Sequence, residues 1–147
     1  MKYTSSASAK LTLVISYMFC ALLLFLMIFA KPILHWFFGD NRIVNTMTVM
    51  ISFYVCCVPA WAALGSIIKL LKNIIKEKIF ILQNVFCLRL LSWCCAVVAL
   101  VCAAAGFYYV PMWIFALGAA FMMLILRVLK SVMAKATEIK AENELTI

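Results

Sequence analysis

Residues 11–30, LTLVISYMFCALLLFLMIFA, contain no charged side chain. A helix crossing ~30 Å of hydrocarbon needs about 20 predominantly apolar residues, and this stretch meets that requirement alone. Three more stretches of the same character follow, at about 47–71, 85–107 and 111–129. The second carries Pro59, tolerable in a membrane helix because neighbouring groups satisfy the freed carbonyl. The fourth opens on Pro111, a favoured first-turn residue. Only 12% of the 147 residues are charged and 69% are hydrophobic, against about 25% charged in a soluble domain. The expected fold is all-α: one polytopic membrane domain, a bundle of four transmembrane helices.

The charge pattern gives this bundle an orientation. Lys2, Lys10, Lys69, Lys72, Lys76, Lys78, Arg89, Arg127, Lys130, Lys135 and Lys140 fall on one side of the four spans, and Lys31 and Arg42 on the other. Basic residues collect on the cytoplasmic side of membrane proteins, so both termini are expected in the cytoplasm. The segment 72–84 is then a cytoplasmic elbow and 130–147 a cytoplasmic helical tail. Lys69, Lys72, Lys76, Lys78, Arg127 and Lys130 are assigned to topology and lipid headgroups; Arg89 and Arg127 sit near enough to the span ends to snorkel. Lys2 and Lys10 before an apolar run also suit a signal peptide. The run exceeds an ordinary h-region and FAKP is a poor cleavage site, so a retained anchor is expected.

The opposite side is small. His35, Trp36, Phe37 and Phe38 form an aromatic cluster expected at headgroup level, ahead of a turn at Gly39, Asp40 and Asn41. A lone interfacial histidine is better read as an amphipathic anchor than as a pH sensor. A connection of a few residues around Tyr108, Tyr109 and Val110 makes the third and fourth spans antiparallel neighbours. On the third, Ser92, Ala96, Ala99, Ala103 and Gly106 recur at helical spacing, a small-residue stripe that lets another helix approach. Gly65 and Ser66, and Gly118 with Ala119 and Ala120, are expected to answer it.

What the spans lack excludes several functions. The acids are Asp40, Glu77, Glu138, Glu142 and Glu144, and none lies inside a span. Proton-coupled transport usually leaves an ionisable group there; a passive pore or lipid-binding groove stays open. No paired carboxylates, nucleophile–base pair or phosphate loop occurs in the short polar segments, so no catalysis and no cofactor is expected. The seven cysteines lie in apolar runs, with no Cys-x-x-Cys and one histidine, and are read as packing residues rather than metal ligands. Direct nucleic-acid binding would need a folded basic module, which the chain does not offer.

Lys69 to Lys78 fits a continuation of the second helix, with Leu70, Leu71, Ile74 and Ile75 on one face and Lys69, Lys72, Asn73 and Lys76 on the other. The last segment, ILRVLKSVMAKATEIKAENELTI, keeps helical spacing through Val128, Leu129, Val132, Ala136 and Ile139. It is expected to run about three turns beyond the membrane and fray near Glu142. Its acids suggest that tail and elbow pack together.

Two motifs in these segments are recognisable. One is Lys72-Asn73-Ile74, Phe80, Asn84 and Leu88-Arg89; the other is Glu142-Asn143-Glu144-Leu145-Thr146-Ile147. They resemble domain of unknown function 2975, a family of YoaS-like small four-span bacterial membrane proteins. The family often has Gly where Glu77 stands, and Thr or Ser where Ile81 stands. A Thr would cap the third helix and Ile81 cannot, which moves the expected helix start toward Asn84. Family members are often encoded beside a small helix-turn-helix regulator. The resemblance therefore implies an accessory protein of the bacterial inner membrane with a cytoplasmic transcription regulator as partner, homo-oligomers being allowed. Asn73, Phe80, Asn84, Arg89, Glu142 and Asn143 are the candidate partner-binding residues. The alternative is a small transporter, immunity or lipid-handling protein acting through the bundle interior.

Overall fold

The computed structural model describes residues 2–38 and 46–146, with side chains from Ala7 to Trp36 and from Met47 to Thr146. Gly39, Asp40, Asn41, Arg42 and the rings of Phe37 and Phe38 lie outside this description. Five helices follow in order: α1 Lys2–Ile28, α2 Ala30–Phe38, α3 Thr46–Ile75, α4 Leu82–Gly106 and α5 Met112–Leu145. Four of them, α1, α3, α4 and α5, are long and apolar enough to cross a membrane. The chain is an all-helical, multi-pass membrane protein, as its apolar runs predict.

Each break has a local cause. Pro32 has no N–H to offer the carbonyl of Ile28, the last residue of α1. The chain turns at Phe29 and resumes as α2, whose first turn accommodates Pro32 because no N–H is needed there. Lys31 and Pro32 therefore lie inside a short second helix rather than at the end of the first. Pro59 sits within α3, buried, and the helix continues through it. At the other turn, the N–H groups of Tyr108 and Tyr109 donate to the carbonyl of Ala105, closing the hairpin between α4 and α5.

The spans pack serially. α1 touches α3, α3 touches α4, and α4 touches α5; α2 rests on α1 and α3. Among the described residues, neither α1 nor α3 packs on α5. α4 lies between two neighbours and carries more buried residues than any other helix, Asn84, Cys87, Leu88, Ser92, Cys94 and Gly106. The small-residue stripe predicted on α4 faces these neighbours: Ser92 and Gly106 are buried, and Ala96, Ala99 and Ala103 are half-buried. A Cβ at Gly106 would stand 2.8 Å from the Trp113 indole, so glycine lets the start of α5 close onto the end of α4. The answering positions are Ser66, Ala119 and Ala120. Gly65 and Gly118 face open space and take no part.

Candidate functional site at the elbow

α3 ends in a defined motif. The Lys78 N–H donates to the Asn73 carbonyl at 3.0 Å, and the Glu77 N–H to the Ile74 carbonyl at 3.0 Å. This nested pair is the Schellman closure, which places the residue after the helix in the left-handed region. That residue is Glu77, with φ of 59°. A side chain there costs ~1–2 kcal/mol that glycine avoids, which accounts physically for the glycine of the related pattern.

α4 starts at Leu82 with the extended Ile81 in the capping position and no side chain bonded to its first amides. Asn84 is thus not the cap, and the helix start is not displaced toward it. Asn84 is instead fully buried, the one large side chain below 2% exposure among the described residues. Its Nδ2 donates to the carbonyls of Lys78 at 3.0 Å and Ile79 at 2.7 Å. Both partners only accept, so Oδ1 must point the other way, where Asn73 Nδ2 donates to it at 2.7 Å. The same Asn73 amide lies 3.4 Å from Gln83 Oε1. One buried amide therefore ties the end of α3, the turn and the start of α4 together. Asn73, grouped by sequence with the lysines of the polar face, is half-buried on the α4 side.

The latch fixes what the turn shows outward. Ile79 and Phe80 are about two-fifths exposed, at 39% and 41%, next to exposed Lys76 and Lys78. Leu82 and Phe86 of α4 add apolar surface beside them, and Arg89 is exposed one turn further along. Carboxamides do not change charge, so this cluster can shape and recognise but not shuttle protons.

The structure does not bring Glu142 and Asn143 to this latch. α5 remains helical to Leu145, a turn beyond the expected fray point, and it does not touch α3. Residues 138–146 are exposed throughout. Glu144 pairs with the tail's own Lys140 at 4.0 Å. The expected packing of tail on elbow is therefore replaced by a tail that runs past α4. Exposed charges one helical turn apart contribute little and cannot draw a helix across the bundle.

A second feature escaped the sequence. At the hairpin end, α2, α3, α4 and the start of α5 line a half-open pocket of about 540 Å³, bounded by Leu34, Ser52, Phe53, Cys56 and Cys102 among others. The thiols of Cys56 and Cys102 meet across the α3–α4 contact. No group of His, Cys, Asp and Glu able to hold a metal ion occurs among the described residues.

No curated protein and no solved structure matches the chain. A family profile does, over residues 2–147, and its description reads "Protein of unknown function (DUF2975)". The match takes in the elbow, the latch asparagines and the tail as well as all four spans, and on it the chain belongs to the DUF2975 family.

Proposed function

We propose that this is a non-enzymatic accessory protein of the bacterial inner membrane, with both termini in the cytoplasm, that holds a cytoplasmic partner at its elbow and tail. One observation carries the reading. α5 is 34 residues long, about 51 Å at 1.5 Å per residue, whereas the hydrocarbon takes up only ~30 Å. The surplus ends in residues 138–146, exposed on all sides, including Ile139 at 58% and Leu145 at 87%. Apolar side chains held out in water on such a helix invite a covering surface.

The basic bias of Lys69, Lys72, Lys76, Lys78, Arg127 and Lys130 supports the orientation. The association of the family with helix-turn-helix regulators supports the class of partner. Phe80, Arg89, Glu142 and Asn143 are the side chains available to it; Asn84 and Asn73 act by holding the turn in shape. Affinity capture from membranes tests this, comparing the full chain with a version ending at Thr137. A regulator retained by the full chain and lost by the shortened one is the expected result; equal recovery would sink the reading.

The cavity favours a second reading, a lipid-handling role in which it takes up an acyl chain. Its lining is almost wholly apolar and includes no Asp, Glu, Lys or Arg, which suits a hydrocarbon chain and not a charged solute. Co-purified lipid lost on Ser52→Phe would support it.

A further inference from the structure

The register of α3 against α4 is set at the elbow, where Asn73 donates to Asn84. Cys56 lies 17 residues before Asn73, and Cys102 lies 18 after Asn84. At 1.5 Å per residue the two antiparallel helices carry both cysteines ~26 Å from the latch, to the same level. Eighteen residues are also five full turns, so Cys102 looks out from the face of α4 that bears Asn84. Both cysteines are free and half-buried, and their thiols meet across the helix contact.

The same two thiols line the half-open pocket at the hairpin end. Thr48, Ser52 and Cys56 reach it from one face of α3, each four residues from the last. The Ser52 hydroxyl has no hydrogen-bond partner among the described residues, whereas that of Ser66 on the same helix donates to the Ala62 carbonyl at 2.8 Å. A donor without a partner on an apolar wall suits a ligand that can accept from it. The lining includes no Asp, Glu, Lys or Arg, so an uncharged ligand fits. The volume of about 540 Å³ falls within the range of small-molecule sites. A hydrocarbon chain fits the wall but has no acceptor for Ser52 and no reaction with a dithiol. A lipid-soluble quinone offers an apolar ring, carbonyl oxygens and two-electron chemistry matched to a pair of thiols.

We propose that Cys56 and Cys102 form a dithiol site oxidised by a lipid-soluble quinone held in this pocket, with Ser52 donating to a quinone carbonyl. An S–S bond forms as both S–H bonds break. The two electrons and two protons pass to the quinone, whose two carbonyls become the hydroxyls of a quinol. One exchange leaves the pair oxidised, so the site registers the state of the quinone pool. The new bond joins α3 to α4 at the end opposite the asparagine latch. The lipid-handling reading uses the same pocket but does not need the thiols, and the two are separable.

The test treats the reduced full chain, in lipid nanodiscs under argon, with decylubiquinone. Quinol formation, intact mass and peptide mapping are then followed. One equivalent of quinol is expected, with the chain lighter by two hydrogen atoms and Cys56 linked to Cys102. Cys56→Ala and Cys102→Ala should each abolish quinol formation, and Cys57→Ala and Cys94→Ala should leave it intact. Ser52→Ala should slow it roughly fivefold, as expected for the loss of one hydrogen bond. Three results would overturn the proposal: no quinol from the reduced chain, quinol formed with a different pair of cysteines linked, or a Cys56–Cys102 bond made by diamide but not by the quinone. A chain that co-purifies lipid yet forms no quinol would sink this proposal and leave the lipid reading standing.

Discussion

Asn84 and Glu77 show how much of the elbow hangs on single residues. The buried amide donates twice and accepts once, satisfying two turn carbonyls and Asn73 together. Removing a buried partner leaves the others unpaired at roughly 1–3 kcal/mol. Asn84→Ala should lower the unfolding free energy in detergent by about that amount. Asn84→Asp should cost more, because a carboxylate oxygen would then face the Lys78 and Ile79 carbonyls. Denaturant titration of the purified protein measures both, and wild-type behaviour in Asn84→Asp would show that the amide orientation is unimportant. Asn84 was visible in the sequence as an asparagine near a helix start, which suggests a cap. Its real direction depends on the path of residues 78–81, and that path depends on the left-handed Glu77. No periodicity encodes a single dihedral angle at a residue that usually avoids it.

Helices were more legible than their contacts. The four apolar runs set the spans because chain length in hydrocarbon admits few alternatives; most ends fall within about four residues of expectation, and the last helix runs on to Leu145. The fate of Pro32 was not legible, since a proline ends a helix or opens the next with equal ease. Small residues marked the packed face of α4 and, in Ser66, Ala119 and Ala120, its answering positions, but not the two glycines beside them. Gly65 and Gly118 lie on open faces, because glycine reports only that approach is allowed. Gly106 is the informative case, under the Trp113 indole that also meets Phe107 edge-on with centroids 5.7 Å apart. Gly106→Ala forces that ring aside and should destabilise the hairpin by ~1–3 kcal/mol. Trp113→Leu in the same chain should recover part of the loss, a coupling that a double-mutant cycle in detergent would measure. Strict additivity would mean that the ring moves freely. The tail was underestimated for a related reason: its acids were weighed as partners for the elbow, whereas helix continuation needed only the propensity of Ala, Lys and Glu.

For the whole molecule, charge and connectivity answer different questions. The distribution of Lys and Arg predicts orientation and says nothing of which helix meets which. Replacing Lys69, Lys72, Lys76 and Lys78 by Gln should leave the helices intact but divide the population between two orientations. A C-terminal reporter active on one side only would read the division; undivided signal would assign orientation to the remaining basic residues. Connectivity has its own consequence. Each span of the row α1, α3, α4, α5 packs on the span made just before it, and none requires one made later. Proteins begin folding from their N-terminal parts while synthesis continues. Here every helix leaving the ribosome finds its docking surface already in the membrane, so the order of translation is also an order of assembly. The two ends of the row, α1 and α5, are each left with a free side.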